Sequence, residues 1–319
     1  MMIEPRKPGE PVAVALGCMN FGKRTPAAES ERIIARALER GITFFDTANI
    51  YSDGESEKIV GRALRSARDR VTIATKVGAA RVQGKPEGLS RARILTAIDE
   101  SLARLGIDHV DVYYLHVPDH VTPIVESLAA MEEIRAAGKI GAMGVSNYAA
   151  WQILEMMAVA ERGSGPRPVI SQVMYNLLIR QIEIEYVAFT KEHPIHNTIY
   201  NPLAGGLLSG RHVRTGETEK GSRFDKNRMY QGRYWSDRFF DLVDAYRAVA
   251  SDGGMSLVEL SYAWLAGQPH VSSILVGPSS IEHLDAALDG CQKALSVETR
   301  KRIDEIHRAY QGTDASYVR

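Results

Sequence analysis

Eight apolar runs of strand length, separated by segments of helical period, constrain this chain more than any other feature. They are "VAVALG" (12–17), "ITFFDT" (42–47), "VTIATK" (71–76), "VDVYYLH" (110–116), "IGAMGVS" (140–146), "VISQVMY" (169–175), "NTIYNP" (197–202) and "VSSILVG" (271–277). They are apolar on both faces, as in a parallel sheet covered by helices. In "AESERIIARALERG" (28–41), Ile33, Ile34, Ala37 and Leu38 share one helical face and Gly41 ends the helix. "SRARILTAIDESLARLG" (90–106) starts on a Ser cap and stops at Gly, and "TPIVESLAAMEEIRAAGK" (122–139) offers Thr122 as cap with Pro123 in the first helical position. No composition break, fixed-period repeat or low-complexity segment interrupts the 319 residues. The pattern therefore predicts an α/β fold, one (β/α)8 TIM barrel spanning residues 1–319 as a single domain.

Two departures from regularity stand out. Residues 205–236, "GGLLSGRHVRTGETEKGSRFDKNRMYQGRYWS", make a long polar, glycine-rich loop after the seventh strand, with aromatic and basic residues at its end. Loops of that length within a compact domain are usually functional or disordered, and the aromatic and basic cluster favours function. "SVETRKRIDEIHRAYQGTDASYVR" reads as one extra C-terminal helix and a short tail.

Lysine plus arginine and aspartate plus glutamate both number 39, so no net field favours nucleic acid or membrane. Cys18 and Cys291 are far apart and fit a reducing cytoplasm rather than a disulfide scaffold. "MMIEPRKPGE" is no signal peptide, and no apolar run approaches the about 18 residues of a membrane span. Gly-x-Gly-x-x-Gly, P-loop, Gly-x-Ser-x-Gly and His-Glu-x-x-His motifs are absent, and the nine histidines lack the carboxylate spacing of a zinc site. "HPIH" (193–196), where a helix gives way to a strand, reads as structural or solvated.

In a parallel barrel the catalytic groups project from the carboxyl ends of the strands. Those ends carry Asp46, with Tyr51 just beyond it, then Lys76, His116, Ser146 with Asn147, Gln172, and Asn201. A lone lysine there is usually solvated and a lone loop tyrosine usually packs. Acid, tyrosine, lysine and histidine from three adjacent strands would instead converge on one mouth, where Asp46 can pair with Lys76 so that neither buried charge stands alone.

The chain resembles the aldo-keto reductase superfamily over almost its whole length. "FDTANIYSDGESE", "ATK", "YYLH", "GVSNY", "QVMYN", "YNPLAGGLLSG" and "ILVGPSSIEHL" occur in family order. "YLHVPDHVTPIVESL", "SNYAAWQ", "NPLAGGLLSGR", "MYQGRYW" and a terminal arginine are similar to the aflatoxin-aldehyde and succinic-semialdehyde reductase branch. The resemblance implies NADPH-dependent reduction of aldehydes and ketones. Tyr51 would be the proton donor, Lys76 would lower its pKa, Asp46 would hold Lys76 charged, and His116 would orient the carbonyl. Ser146, Asn147 and Gln172 would hold the nicotinamide carboxamide and Tyr200 would stack on its ring. Asn201, Pro202, Leu203, Ala204, Gly205, Gly206, Leu207, Ser209, Gly210 and Arg211 would follow the pyrophosphate, with Gly277, Ser279, Ser280 and His283 at the adenosine phosphate.

Many family members have arginine at the position of His283, and an acid-Asn pair where this chain has Ala286-Ala287. Arg211 and Arg223 are the residues expected to compensate at the phosphate. The branch also implies that Tyr230, Arg233 and Arg319 contact substrate, and two arginines suit a carboxylate-bearing aldehyde. Aromatic and dicarbonyl aldehydes fit as well. No metal is expected, and a homodimer is the assembly that the resemblance suggests. Two rival readings remain open at this point: a cofactor-binding sensing module with little turnover, and a lyase or aldolase using Lys76 as Schiff-base nucleophile.

Overall fold

The computed structural model describes residues 3–214 and 218–313. Eight strands, β1 (Ala13–Gly17), β2 (Phe44–Asp46), β3 (Thr72–Val77), β4 (Val110–Leu115), β5 (Ile140–Ser146), β6 (Ile170–Met174), β7 (His196–Tyr200) and β8 (Ser273–Val276), pair in parallel in chain order and close β8 onto β1. Each overlaps one of the eight apolar runs, with Val77 of β3 and His196 of β7 one residue outside them, so the expected barrel is the observed one.

Helices cover the outside: α1 (Ala27–Glu39), α2 (Glu55–Leu64), α3 (Arg91–Leu105), α4 (Ile124–Ala136), α5 (Ala150–Glu161) and α6 (Tyr186–Glu192), each following the strand of its number. Beyond β7 come α7 (Arg228–Tyr234), α8 (Asp237–Asp252) and α9 (Leu257–Ala266), and beyond β8 come α10 (Ile281–Gln292) and α11 (Val297–Gln311). The extra C-terminal helix is therefore α11. Ser90 caps α3 and Gly106 ends it with a left-handed φ, as expected. α4 begins one residue later than its sequence suggests, with Pro123 itself at the cap, because the Thr122 hydroxyl donates to Asp119 instead. The loop after β7 is not featureless. It holds a tight turn at Ala204–Ser209 and the short helix α7, which Asn227 caps and which buries Tyr230 and Tyr234. A small exposed hairpin, Arg81–Val82 against Lys85–Pro86, follows β3.

Period-two alternation sets the barrel interior. Ala15, Phe44, Ala74, Val112, Tyr114 and Ile170 form one buried inward cluster, while Leu16, Phe45, Ile73 and Tyr113 pack into the helical layer. Two residues further along the same inward rows come Asp46, Lys76, His116 and Gln172. The polar layer thus lies directly above the apolar one, on the carboxyl side. The opposite end is closed by the N-terminal segment. His196 bonds the Glu4 carbonyl at 2.7 Å and Ser273 Oγ at 2.9 Å, a structural role for the second histidine of "HPIH". Among the described residues no helix is long and apolar enough to cross a membrane, and no cluster suited to a metal ion occurs.

Gly144 on β5 makes room for this arrangement. A Cβ there would lie 2.5 Å from the Tyr114 ring and 2.9 Å from Ile170 Cγ2. Gly144→Ala should destabilise the protein by about 1–3 kcal/mol through overpacking, read from the midpoint of chemical denaturation.

Candidate active site

Asp46 ends β2 and Lys76 lies next to the end of β3, both essentially without solvent exposure. Lys76 Nζ donates to Asp46 Oδ1 and, at 2.7 Å, to the Thr47 carbonyl. Its third neighbour is the Tyr51 hydroxyl at 3.5 Å. The other Asp46 oxygen accepts from Gln172 Nε2 at 2.9 Å. Burial works against the ammonium, but Asp46 and then Tyr51 outweigh it and hold Lys76 above its ordinary value. Burial also pushes the Asp46 carboxyl up, opposed by the Lys76 charge and the two hydrogen bonds.

Tyr51 begins a tight turn, Tyr51–Gly54, in which Ser52 and Asp53 adopt left-handed φ of 52° and 54°. The Ser52 hydroxyl pins that turn to the Phe21 carbonyl at 2.7 Å. Lys76 also lies 4.9 Å from the centre of the Tyr51 ring, and the His116 ring meets it edge-on at 5.8 Å. Lys76 does act on the phenol in the expected sense, but burial is the larger effect and the Tyr51 pKa ends above its ordinary value. The correction is physical: a sequence shows a neighbouring charge and hides how much water the fold removes. Burial and Lys76 both push His116 down, to about 3, so its imidazole is neutral. Its Nδ1 is buried without a partner.

Across the mouth the expected nicotinamide residues form one connected set. Tyr200 donates to Asn147 Oδ1 at 2.6 Å, Asn147 Nδ2 donates to Ser146 Oγ at 3.1 Å and the His116 carbonyl at 2.9 Å, and Ser146 Oγ donates to the Gln172 carbonyl at 3.0 Å. The segment from Asn201 divides. Asn201 builds the turn, donating to Tyr234 at 2.7 Å and accepting from the Gly205 amide at 2.8 Å, while Ala204 and Leu207 face the core. Pro202 is buried and Leu203 partly so. Ser209 bonds the Gly206 carbonyl and Gly210 ends the turn with φ 75°. Gly205 and Gly206 have φ of 70° and 107°, and a Cβ on Gly205 would lie 2.8 Å from the Tyr230 ring.

The end of this loop crosses to the β1–α1 connection. Arg223 donates to Asn20 Oδ1 at 2.6 Å and the Tyr230 hydroxyl at 3.1 Å, and the Arg233 guanidinium lies 5.7 Å from the Tyr230 ring centre. Arg211 pairs with Glu219 at 3.4 Å. Arg24, which sequence reasoning missed, donates to the Ser222 carbonyl at 2.8 Å and is held below its ordinary value by burial first and then by Arg223, with Arg211 adding to it. The basic stretch "GKR" at 22–24 was the available signal. Gly277, Ser279, Ser280 and His283 gather at the start of α10, where Ser280 caps the helix and Ser279 Oγ bonds His283 Nδ1 at 3.0 Å. Arg319 lies outside the described residues.

The closed barrel with an ion pair at its carboxyl end fits the class that the motifs resemble, oxidoreductases acting on carbonyl groups. The chain belongs to the aldo/keto reductase family, whose profile matches residues 13–308. It is 34% identical to human "Aflatoxin B1 aldehyde reductase member 2" over 89% of this chain and 82% of the relative. Human "Aldo-keto reductase family 7 member A3" is 34% identical, covering 88% of this chain and 89% of the relative. The rice (Oryza sativa subsp. japonica) "Probable voltage-gated potassium channel subunit beta" is 33% identical, covering 92% and 90%. The family and the branch expected from the motifs are both found, and with them a nicotinamide cofactor and carbonyl reduction.

Breaking the buried pair by Asp46→Ala should destabilise the fold by about 3–5 kcal/mol, because Lys76 is left as an uncompensated buried charge. Asp46→Ala with Lys76→Met should recover much of that loss in urea unfolding.

Proposed function

We propose that the protein reduces aldehydes and ketones to alcohols with NADPH as reductant. The observation that carries this reading is the Lys76 ammonium, fixed by Asp46 and the Thr47 carbonyl, facing the Tyr51 hydroxyl at 3.5 Å beside a neutral His116. A bound reduced nicotinamide supplies the hydride, and the chain supplies binding, orientation and proton transfer. With Nδ1 enclosed, the other ring nitrogen of His116 would be the one to donate to the carbonyl oxygen, polarising it. Tyr51, kept protonated by burial, gives its proton to that oxygen as negative charge develops there. Lys76 stabilises the phenolate left behind.

The residues present fit a dinucleotide. Ser146, Asn147 and Tyr200 offer a donor-acceptor set for a carboxamide. Gly277 is open, since a Cβ there would meet nothing closer than the Gly17 carbonyl at 3.8 Å. Arg24, Arg211 and Arg223 crowd like charges together where phosphates would relieve them, which favours NADPH over NADH.

Burial raises the Tyr200 pKa and the nearby Arg233 charge opposes that shift, which supports Arg233 as a partner for a carboxylate-bearing aldehyde at the mouth, with Arg319 as the proposed second arginine. The similarity to a channel subunit favours one rival, binding without turnover. The Schiff-base alternative needs a neutral lysine, which Asp46 opposes.

Tyr51→Phe should lower kcat about 100- to 10,000-fold on 4-nitrobenzaldehyde while NADPH still quenches protein fluorescence. Wild type that binds NADPH and reduces no carbonyl would replace this reading with the sensing module. The profile of kcat/KM against pH should show no inflection at 6.5, the ordinary histidine value, because His116 stays neutral down to about 3. Arg233→Ala should raise KM for succinic semialdehyde about tenfold or more over its effect on 4-nitrobenzaldehyde; equal effects on both would remove the carboxylate preference.

A further inference from the structure

The proposed carbonyl chemistry uses neither Glu87 nor Asn49, yet both are buried beside it. The Glu87 carboxylate gathers four donors. Asn49 Nδ2 at 2.7 Å and Arg93 Nε at 2.9 Å reach one oxygen, and the backbone amides of Gly78 at 2.7 Å and Ala80 at 3.1 Å reach the other. Two of these donors lie beside the catalytic groups in sequence. Asn49 precedes Tyr51 by two positions, and Gly78 follows Lys76 by two.

The segments bearing the proton donor and the ammonium therefore meet in more than one place, the Asn49 backbone amide also donating to the Lys76 carbonyl at 3.3 Å. They meet at the mouth, where Lys76 approaches Tyr51 at 3.5 Å, and again behind it on one carboxylate. Asn49 Oδ1 is buried with no partner, so the bond from its amide to Glu87 is what holds this side chain in place. An asparagine placed only for packing would turn to satisfy both ends.

We infer that Glu87 is a positioning residue: it clamps the loop carrying Tyr51 to the loop leaving Lys76 and so sets the phenol–ammonium distance. The inference rests on the carbonyl-reductase reading above. A glutamine cannot replace this carboxylate. It offers one oxygen in place of two, and its NH2 would face N–H donors on whichever side it lay.

The test compares wild type with Glu87→Gln, Asn49→Ala and Arg93→Met. Glu87→Gln should lower kcat about ten- to a hundredfold, as a displaced catalytic group does, with the NADPH dissociation constant within about twofold of wild type. It should also displace the alkaline limb of the kcat profile. Asn49→Ala should move both in the same direction by less. Arg93→Met removes a partner that belongs to α3 and leaves the carboxylate bonded to both loops, so it should lower Tm while lowering kcat less than Glu87→Gln does.

Wild-type kcat and pH limb in Glu87→Gln, or losses that simply follow Tm across all three variants, would overturn the clamp. Should wild type reduce no carbonyl at all, the proposed function fails separately, and the clamp is read from ultraviolet titration of the Tyr51 phenol, assigned by difference from Tyr51→Phe. A Tyr51 ionisation that shifts in Glu87→Gln supports the clamp, and one that stays in place overturns it.

Discussion

The Asp46–Lys76 ion pair is the constraint around which the mouth of the barrel is arranged. An ammonium has three protons and no acceptor capacity, so burying it demands three oxygen partners in fixed directions. Two of them, the Asp46 carboxylate and the Thr47 carbonyl, come from the end of β2 and the residue after it. The third direction is filled by the Tyr51 hydroxyl, more distant at 3.5 Å. The weakest of the three contacts is thus the one made to the proposed proton donor. The faces of the Tyr51 and Tyr114 rings, 4.9 and 5.6 Å from Nζ, complete the surroundings with quadrupoles that favour a cation.

The strands were legible because their apolar runs are continuous, and the candidate set at the mouth could be gathered because strand ends in a parallel barrel all face one way. Asp46, Lys76, His116 and Gln172 fall on the inward rows above Phe44, Ala74, Tyr114 and Ile170, a parity that the sequence already contains. What could not be read depends on tertiary contacts. α7 has seven residues and too few turns to announce itself; it forms because Tyr230 and Tyr234 are buried beneath it and Asn227 caps it. The Thr47 carbonyl is backbone and leaves no sequence trace. Glu87 sits in "GKPEGLS", which has the composition of a solvated loop. The direction of the Tyr51 shift escaped for the same reason, since charge can be read from residue types and desolvation cannot.

Backbone conformation separates the two ends of the barrel as sharply as chemistry does. Among the described residues, those other than glycine with left-handed φ are Ser52, Asp53, Gln83, Asn147, Asn201, Ala204 and Lys226. Every one lies in a segment that follows the carboxyl end of a strand, and none lies in a connection leading from a helix into a strand. A non-glycine residue holds such a conformation only where its surroundings determine it, and for three of these residues those surroundings can be named. Ser52 is tied to Phe21, Asn147 to Tyr200 and Ser146, and Asn201 to Tyr234 and Gly205. The helix-to-strand connections serve packing alone and stay in relaxed conformations. The strand-to-helix loops must both reverse the chain and aim side chains at one point above the ion pair. The strain therefore gathers at the end where geometry is decided by what must meet there rather than by what packs most easily.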